Sequence, residues 1–225
     1  MIDTSAARAA ILSSIRSAYP EGEQLPDESR AIPREYNRAG SLDPEARLTL
    51  FTERLREYDA DVHVVSADAL AASIGRILAA RGKSRVLIPE GLPSAWLPSG
   101  FQFTHGNRLE PRAIDSYDGV LTGCTVAIAL TGTLVLQNAP MQGPRALSLV
   151  PDYHLCVVFP DQIVETVSEA FDRLKPTATL PTTFISGPSA TADIEMTRIK
   201  GVHGPRFLEV IVTGQRPRMG TGNSL

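Results

Sequence analysis

Three polar, glycine-bearing stretches hold the residues of this chain that could do chemistry. In the first, Thr131-Gly132-Thr133, a glycine between two threonines permits a tight turn and sets backbone N–H groups beside two hydroxyls, the make-up of a small-anion cradle. A hairpin turn whose threonines simply suit β structure explains the same three residues. In the second, Arg145 stands between Gly143-Pro144 and an apolar run. There its guanidinium could grip a carboxylate in a forked geometry, or pair with an internal acid. His154, at the entrance to an apolar stretch, reads as a structural histidine rather than a base.

The third stretch is the most informative. Ile185-Ser186-Gly187-Pro188-Ser189 leads to Asp193 and Glu195, and Gly201-Val202-His203-Gly204 follows. Ser-Gly-Pro-Ser between an expected strand and an expected helix would place the Ser186 and Ser189 hydroxyls and free amides at the positive end of the helix, a seat for phosphate or carboxylate. In α/β sheets such seats lie at the carboxyl ends of strands. Asp193 and Glu195 fall in the first turn of that helix, where complementing its dipole accounts for them better than a general-base role. His203 could exchange a proton near neutrality, and the flanking glycines would let a ligand approach the backbone.

Positioning these stretches requires an α/β framework. Apolar spacing predicts a helix after Ser5, with Ile11, Leu12 and Ile15 on one face, and another after Asp43-Pro44, with Leu48, Phe51, Leu55 and Tyr58. Val62–Val65, Ala67–Arg81 and Val86–Ile88 read as strand, helix and strand, hence a parallel pair joined by a crossover. Pro89 to Arg112, rich in proline and glycine, is expected to be irregular, with at most a short helix near Ala95. Thr125–Leu130, Thr133–Gln137, Leu155–Phe159, the run opening at Phe184 and Val210–Val212 read as further strands of a mixed sheet, and Asp161 is expected to cap a helix.

The remaining features exclude classes. A formal charge of -3 from 22 basic and 25 acidic side chains advertises no nucleic-acid partner. Cys124 and Cys156, far apart in apolar runs, suit reduced core thiols; with no Cys-x-x-Cys and four scattered histidines, the chain offers no ligand set for a metal or cluster. Any redox centre is therefore expected in another protein. Apolar runs such as Val126 to Leu130 fall far short of the roughly 20 residues that span a bilayer. The start lacks a basic segment followed by an apolar core, so a cytoplasmic location without membrane insertion is expected. Gly-x-Gly-x-x-Gly after a strand, Gly-Lys-Ser/Thr and Gly-x-Ser-x-Gly are all missing.

In combination, TGCTVAIALTGTLVL, RALSLVPDYHLCVV with QIVETV behind it, ISGPSATADIE and GVHGPRFLEVIV resemble the LutC/YkgG family of lactate-utilization proteins, whose shared module is the LUD domain. The resemblance runs from about Asp61 to Val212. It implies an α/β fold, a mixed sheet flanked by helices, of the kind found in sugar-phosphate isomerases, ribose-5-phosphate isomerase and CoA transferases (NagB/RpiA-like). It also implies a LUD domain over 59–213; helical patterning before it reads as an N-terminal helical arm (1–58), and the Gly/Pro-bearing end as a flexible tail (214–225). The activity it implies is oxidation of L-lactate to pyruvate alongside iron–sulfur partner proteins, with a cleft for a small anionic ligand. Thr131, Gly132, Thr133, Arg145, Ser186, Gly187, Ser189, Asp193, Glu195 and Gly204 carry over as ligand-binding candidates, and His203 as a proton relay. One departure stands out. Where the family reads Ala-Glu-Thr-Gly-Thr, this chain reads Ala129-Leu130-Thr131-Gly132-Thr133, so an acid that could act as base or nucleophile is replaced by an apolar side chain. That opens the alternative of a non-catalytic assembly or regulatory subunit. Fold kinship alone suggests a sugar-phosphate isomerase or folate cyclo-ligase-like enzyme.

Overall fold

The computed structural model describes residues 5–18, 35–191, 199–201 and 204–214. Packing divides it into two units, Met1–Tyr36 and Asn37–Leu225. In the first, helix α1 (Ser5–Ala18) buries none of its residues, and Ile11 and Ile15 are exposed.

The second unit contains, in chain order, α2 (Pro44–Glu57), β1 (Asp61–Val65), α3 (Leu70–Ala80), β2 (Arg85–Ile88), β3 (Gln102–His105), the single turn α4 (Pro111–Ile114), β4 (Gly119–Thr122), β5 (Val126–Ile128), β6 (Thr133–Gln137), the short α5 (Arg145–Leu149), β7 (Tyr153–Val158), β8 (Ile163–Val164), α6 (Val167–Leu174), β9 (Thr182–Ile185), β10 (Ala190–Thr191), β11 (Ile199–Lys200) and β12 (Phe207–Thr213). Six strands form a parallel sheet in the order β1-β12-β7-β4-β2-β3. Four more form a mixed sheet, β8-β5-β6-β9, in which β6 runs antiparallel to both neighbours and β8 is parallel to β5. The fold is thus α/β, as the sequence implies, with its antiparallel pairing concentrated in the smaller sheets. β1 and β2 do share a parallel sheet, but they are not neighbours. β12, β7 and β4, all later in the chain, lie between them, a long-range insertion that local periodicity cannot show.

Burial explains the layering. Every residue of β4 and β7 is buried, as expected of central parallel strands covered on both faces, whereas the edge strands β1 and β3 are partly exposed. On one face of β7, Tyr153, Leu155 and Val157 pack with Ile74 and Leu78 of α3 and with Trp96. On the other, Cys156 and Val158 meet Ala127, Leu134 and Leu136 of the mixed sheet, so a second core lies between the two sheets. α6 closes the outer face of the mixed sheet through Ala170 and Leu174.

Helix α2 begins where Asp43 Oδ1 accepts hydrogen bonds from the Glu45 and Ala46 amides, both at 2.9 Å, with Pro44 at the first helical position. Its Phe51 and Leu55 are fully buried in the inter-sheet core. Each side chain of this kind stabilises by roughly 1.5–3 kcal/mol relative to exposure. The sequence groups this helix with the N-terminal arm, whereas its packing places it in the unit that starts at Asn37.

Three local expectations are corrected. The helix expected from Asp161 begins later, because Thr166 and Glu169 form a reciprocal cap, and Ile163 and Val164 instead pair as β8. The stretch from Pro89 to Arg112 contains strand β3, held beside β2. Ala190 follows Ser189 as a strand residue, not as the start of a helix.

The β5–β6 turn is fixed by close approach. Gly132 has φ +56°, and a Cβ there would stand 2.8 Å from the Arg54 carbonyl carbon and 2.9 Å from the Leu55 nitrogen. Both positions are α2 backbone and cannot swing away. Gly132→Ala should therefore destabilise the fold by about 2–4 kcal/mol, from left-handed strain plus overpacking. Urea unfolding reads this directly, and a loss below about 0.5 kcal/mol, the scatter of neutral surface changes, would show that the turn does not depend on that contact.

Candidate functional site

Pairing of β6 with β9 joins two of the candidate stretches. The register sets Leu134 opposite Ile185, which brings Thr133 and Ser186 to facing positions one step further along. Thr133 Oγ1 lies 2.7 Å from Ser186 Oγ and 2.7 Å from Thr131 Oγ1. Thr133 Oγ1 also donates to the Thr131 carbonyl at 3.4 Å, so the three hydroxyls and that carbonyl form one local network. Thr133 is buried, while Thr131 and Ser186 are exposed. The Gly132 amide bonds the Ala129 carbonyl at 3.3 Å, so hydroxyls rather than this amide face outward.

Ser186 also borders a cleft of about 250 Å³ whose wall includes Gly187, Ser189, Gly204, Leu149 and His154. Gly187 has φ +87°, and a Cβ there would be 2.7 Å from the Tyr58 carbonyl oxygen, so only glycine lets the wall close on the end of α2. Ser189 is followed by the β10–β11 pairing, and the helix expected around Asp193 and Glu195 lies outside the described residues. The Ser189 amide donates to the Pro205 carbonyl at 2.8 Å, and its carbonyl accepts from the Gly201 amide at 2.9 Å. Ser186 does follow the carboxyl end of a strand, but that strand belongs to the mixed sheet. Against the parallel sheet the cleft touches the opposite end, since His154 and Leu208 are the second residues of β7 and β12.

The structure does not bring all the candidates together. Arg145 is exposed at the first residue of α5, without an ion pair among the described residues, and only Leu149 of that helix reaches the cleft wall. Asp193, Glu195 and His203, like the tail beyond Gly214, lie outside the described residues. Arg206, next to Pro205 of the wall, is tied to Asp152 by two hydrogen bonds of 2.6 and 2.9 Å. This pair holds the Asp152 carboxyl below the usual carboxylate range. Among the described residues of the wall there is no cation and no carboxylate. Its chemistry is hydrogen bonding from hydroxyls beside a histidine.

A family model described as the LUD domain matches residues 107–213. Over 167 residues the chain is 45% identical to the Lactate utilization protein C of Deinococcus radiodurans, an alignment covering 73% of this chain and 78% of the relative. The chain belongs to the LUD-domain family. A protein of the same name from Geobacillus thermodenitrificans is 26% identical over 191 residues, 75% of this chain and 79% of that one. A crystal structure of a DUF162 family protein from Deinococcus radiodurans, 40% identical, superposes with a TM-score of 0.68 over 77% of this chain and all of that one. The LUD match contains the whole cleft wall from Leu149 to Leu208. Tyr58, against which Gly187 packs, precedes it.

His154 is the wall residue that the sequence undervalues. It is fully buried, its Nε2 lies 2.7 Å from Thr122 Oγ1, and its Nδ1 has no partner among the described residues. The alternation through Tyr153-His154-Leu155-Cys156 already sets it on the face of Cys156. Burial pushes the imidazole down to about 4 from its ordinary 6.5, so it is neutral at pH 7 and not a ready proton donor. As pH falls through about 6.5 the unfolded chain binds a proton that the folded chain refuses until about 4. Stability is therefore full above the upper value and lost progressively between the two, by on the order of 3 kcal/mol. His154→Gln, which keeps a nitrogen near Thr122, should flatten this dependence in urea midpoints taken between neutral pH and about pH 5. An unchanged slope would remove His154 as its source.

Proposed function

We propose that this chain is a component of a lactate-utilization system that oxidises L-lactate to pyruvate together with iron–sulfur partner proteins, and that the Ser186 cleft holds the small carboxylate. The observation that carries this reading is the 45% identity over 78% of a relative named Lactate utilization protein C. The cleft supports it chemically, since the exposed Ser186 hydroxyl on its wall can turn to donate to an oxyanion. Placing the clusters in partners fits the cysteine count, since Cys124 and Cys156 are too few for a four-thiolate set. In this reading Arg145 reaches a ligand only if the ligand extends to α5, and His203 is the proton relay.

A second reading, a non-catalytic assembly or regulatory subunit, is favoured by specific surface features. Leu130, at the position where the family resemblance places an acid, is exposed. Phe171 and Phe184 pair at 5.8 Å and are both exposed, with Val167 one helical turn before Phe171 also exposed, an apolar surface over α6 and β9.

Cells lacking this chain should fail to grow on L-lactate as sole carbon source while growing normally on pyruvate. In calorimetry, Ser186→Ala should weaken L-lactate or pyruvate binding by about 1.5–3 kcal/mol, the worth of a charge-assisted hydrogen bond. Unimpaired growth on lactate would overturn the lactate role. Growth that depends on the chain but ignores Ser186→Ala, with Phe171→Ser abolishing capture of the iron–sulfur proteins, would establish the assembly reading instead.

A further inference from the structure

A wholly uncharged cavity lies away from the Ser186 cleft, past the carboxyl ends of β4 and β7. It measures about 540 Å³, and its wall carries Trp96, Phe159 and Met141 on one side and Thr125, Gln137 and Gln142 on another, with no ionisable Asp, Glu, His, Lys or Arg. That volume falls within the roughly 300–1,000 Å³ typical of small-molecule sites. The position is where parallel sheets bind ligands.

The polar groups of this wall are unequally used. Gln137 Nε2 donates to the Thr177 carbonyl and Thr182 Oγ1, both at 3.2 Å, and its Oε1 accepts from Thr177 Oγ1 at 2.9 Å. Gln142 differs. Its Oε1 accepts from the Gln137 amide at 2.8 Å and from Thr125 Oγ1 at 2.9 Å. A backbone N–H can only donate, so this bond fixes which end of the side-chain amide is oxygen. The Nε2 that remains has no partner among the described residues, although Gln142 is only 6% exposed. That nitrogen is not sealed inside the protein, and Gln142 lines the cavity. The indole N–H of Trp96, 2% exposed, is a second donor without a partner.

We propose that this cavity binds an uncharged, flat ring compound bearing a carbonyl, with the ring against the Trp96–Phe159 pair, whose centroids are 5.8 Å apart, and the carbonyl accepting from Gln142 Nε2. A buried donor held rigidly by two other bonds selects an acceptor, because a ligand lacking one leaves the amide unsatisfied. The absence of charge on the wall rejects a carboxylate or phosphate, whose desolvation nothing there would offset. The site is therefore chemically distinct from the oxyanion cleft and does not depend on the lactate reading.

Trp96 is the chain's single tryptophan, so its fluorescence reports this wall alone. Titrating the full chain with quinolin-2-one should quench the emission saturably, with at least about tenfold higher affinity than naphthalene and no saturable effect from quinoline-2-carboxylate. Gln142→Glu keeps both accepted hydrogen bonds and removes the donor. It should cost quinolin-2-one at least about tenfold while leaving naphthalene unchanged. Ala139→Phe, which fills the cavity from its rim, should abolish binding of both rings while the urea-unfolding midpoint stays that of the unsubstituted chain. Absence of saturable quenching by any ring, equal affinity for quinolin-2-one and naphthalene, or tighter binding of the carboxylate would overturn the proposal.

Discussion

The chain leaves the parallel sheet at Thr122 and enters the mixed sheet at Val126, and the three residues between must cross a buried gap without stranding a polar backbone group. Long-range hydrogen bonds satisfy that crossing. The Gly123 amide donates to the Met141 carbonyl at 2.8 Å, the Thr125 amide to the Val135 carbonyl at 2.8 Å, and Gln162 Nε2 to the Cys124 carbonyl. Gln142 and Gln137 hold the Thr125 hydroxyl. Buried glutamines, each with a donor and an acceptor on a short arm, can serve a backbone that belongs to neither ladder. The two sheets face each other across one apolar core because this link is held.

Two pockets of opposite character follow from that arrangement. At one end of the parallel strands, β9 delivers Ser186, held from behind by the buried Thr133, to a cleft beside a neutral, buried His154. At the other, the crossing itself supplies an amide-and-aromatic wall with no charge. A carboxylate suits the first, where hydroxyl hydrogens can turn toward it. The second suits a neutral ring, because its wall carries aromatic and uncharged amide and hydroxyl groups and no charge to offset an ion's desolvation.

Much of the framework is legible in the chain. The spacing of Leu70, Ile74, Ile77 and Leu78 with Gly82 behind them gives α3 and its end, and Asp43-Pro44 gives the start of α2. The strands β5, β6 and β7 show as apolar runs. Short elements whose stability comes from neighbours do not show. β3 is a polar edge strand that exists because β2 lies beside it, and α5 follows a Pro-Gly-rich turn with only five residues. Of the site, adjacency of Thr133 and Ser186 is implied only once β6 is known to pair with β9. Arg145 looks available by type and spacing, yet sits on the exposed start of α5, while His154, which looks ordinary, borders the cleft.

By itself the sequence determined the α/β class, the apolar faces of the long helices, the family, and the small set of hydroxyl, glycine and arginine positions worth testing. These depend on local periodicity and on residue identity. Tertiary structure alone decided which of those residues meet, that Ser189 leads into a strand instead of a helix, that Gly132 and Gly187 are demanded by the backbone of α2 and by Tyr58, and that Gln142 keeps a donor unspent. Those outcomes depend on partners more than 70 positions away for the two glycines and on a buried backbone amide for the glutamine, and neither distance in space nor burial is written in any short window of the chain.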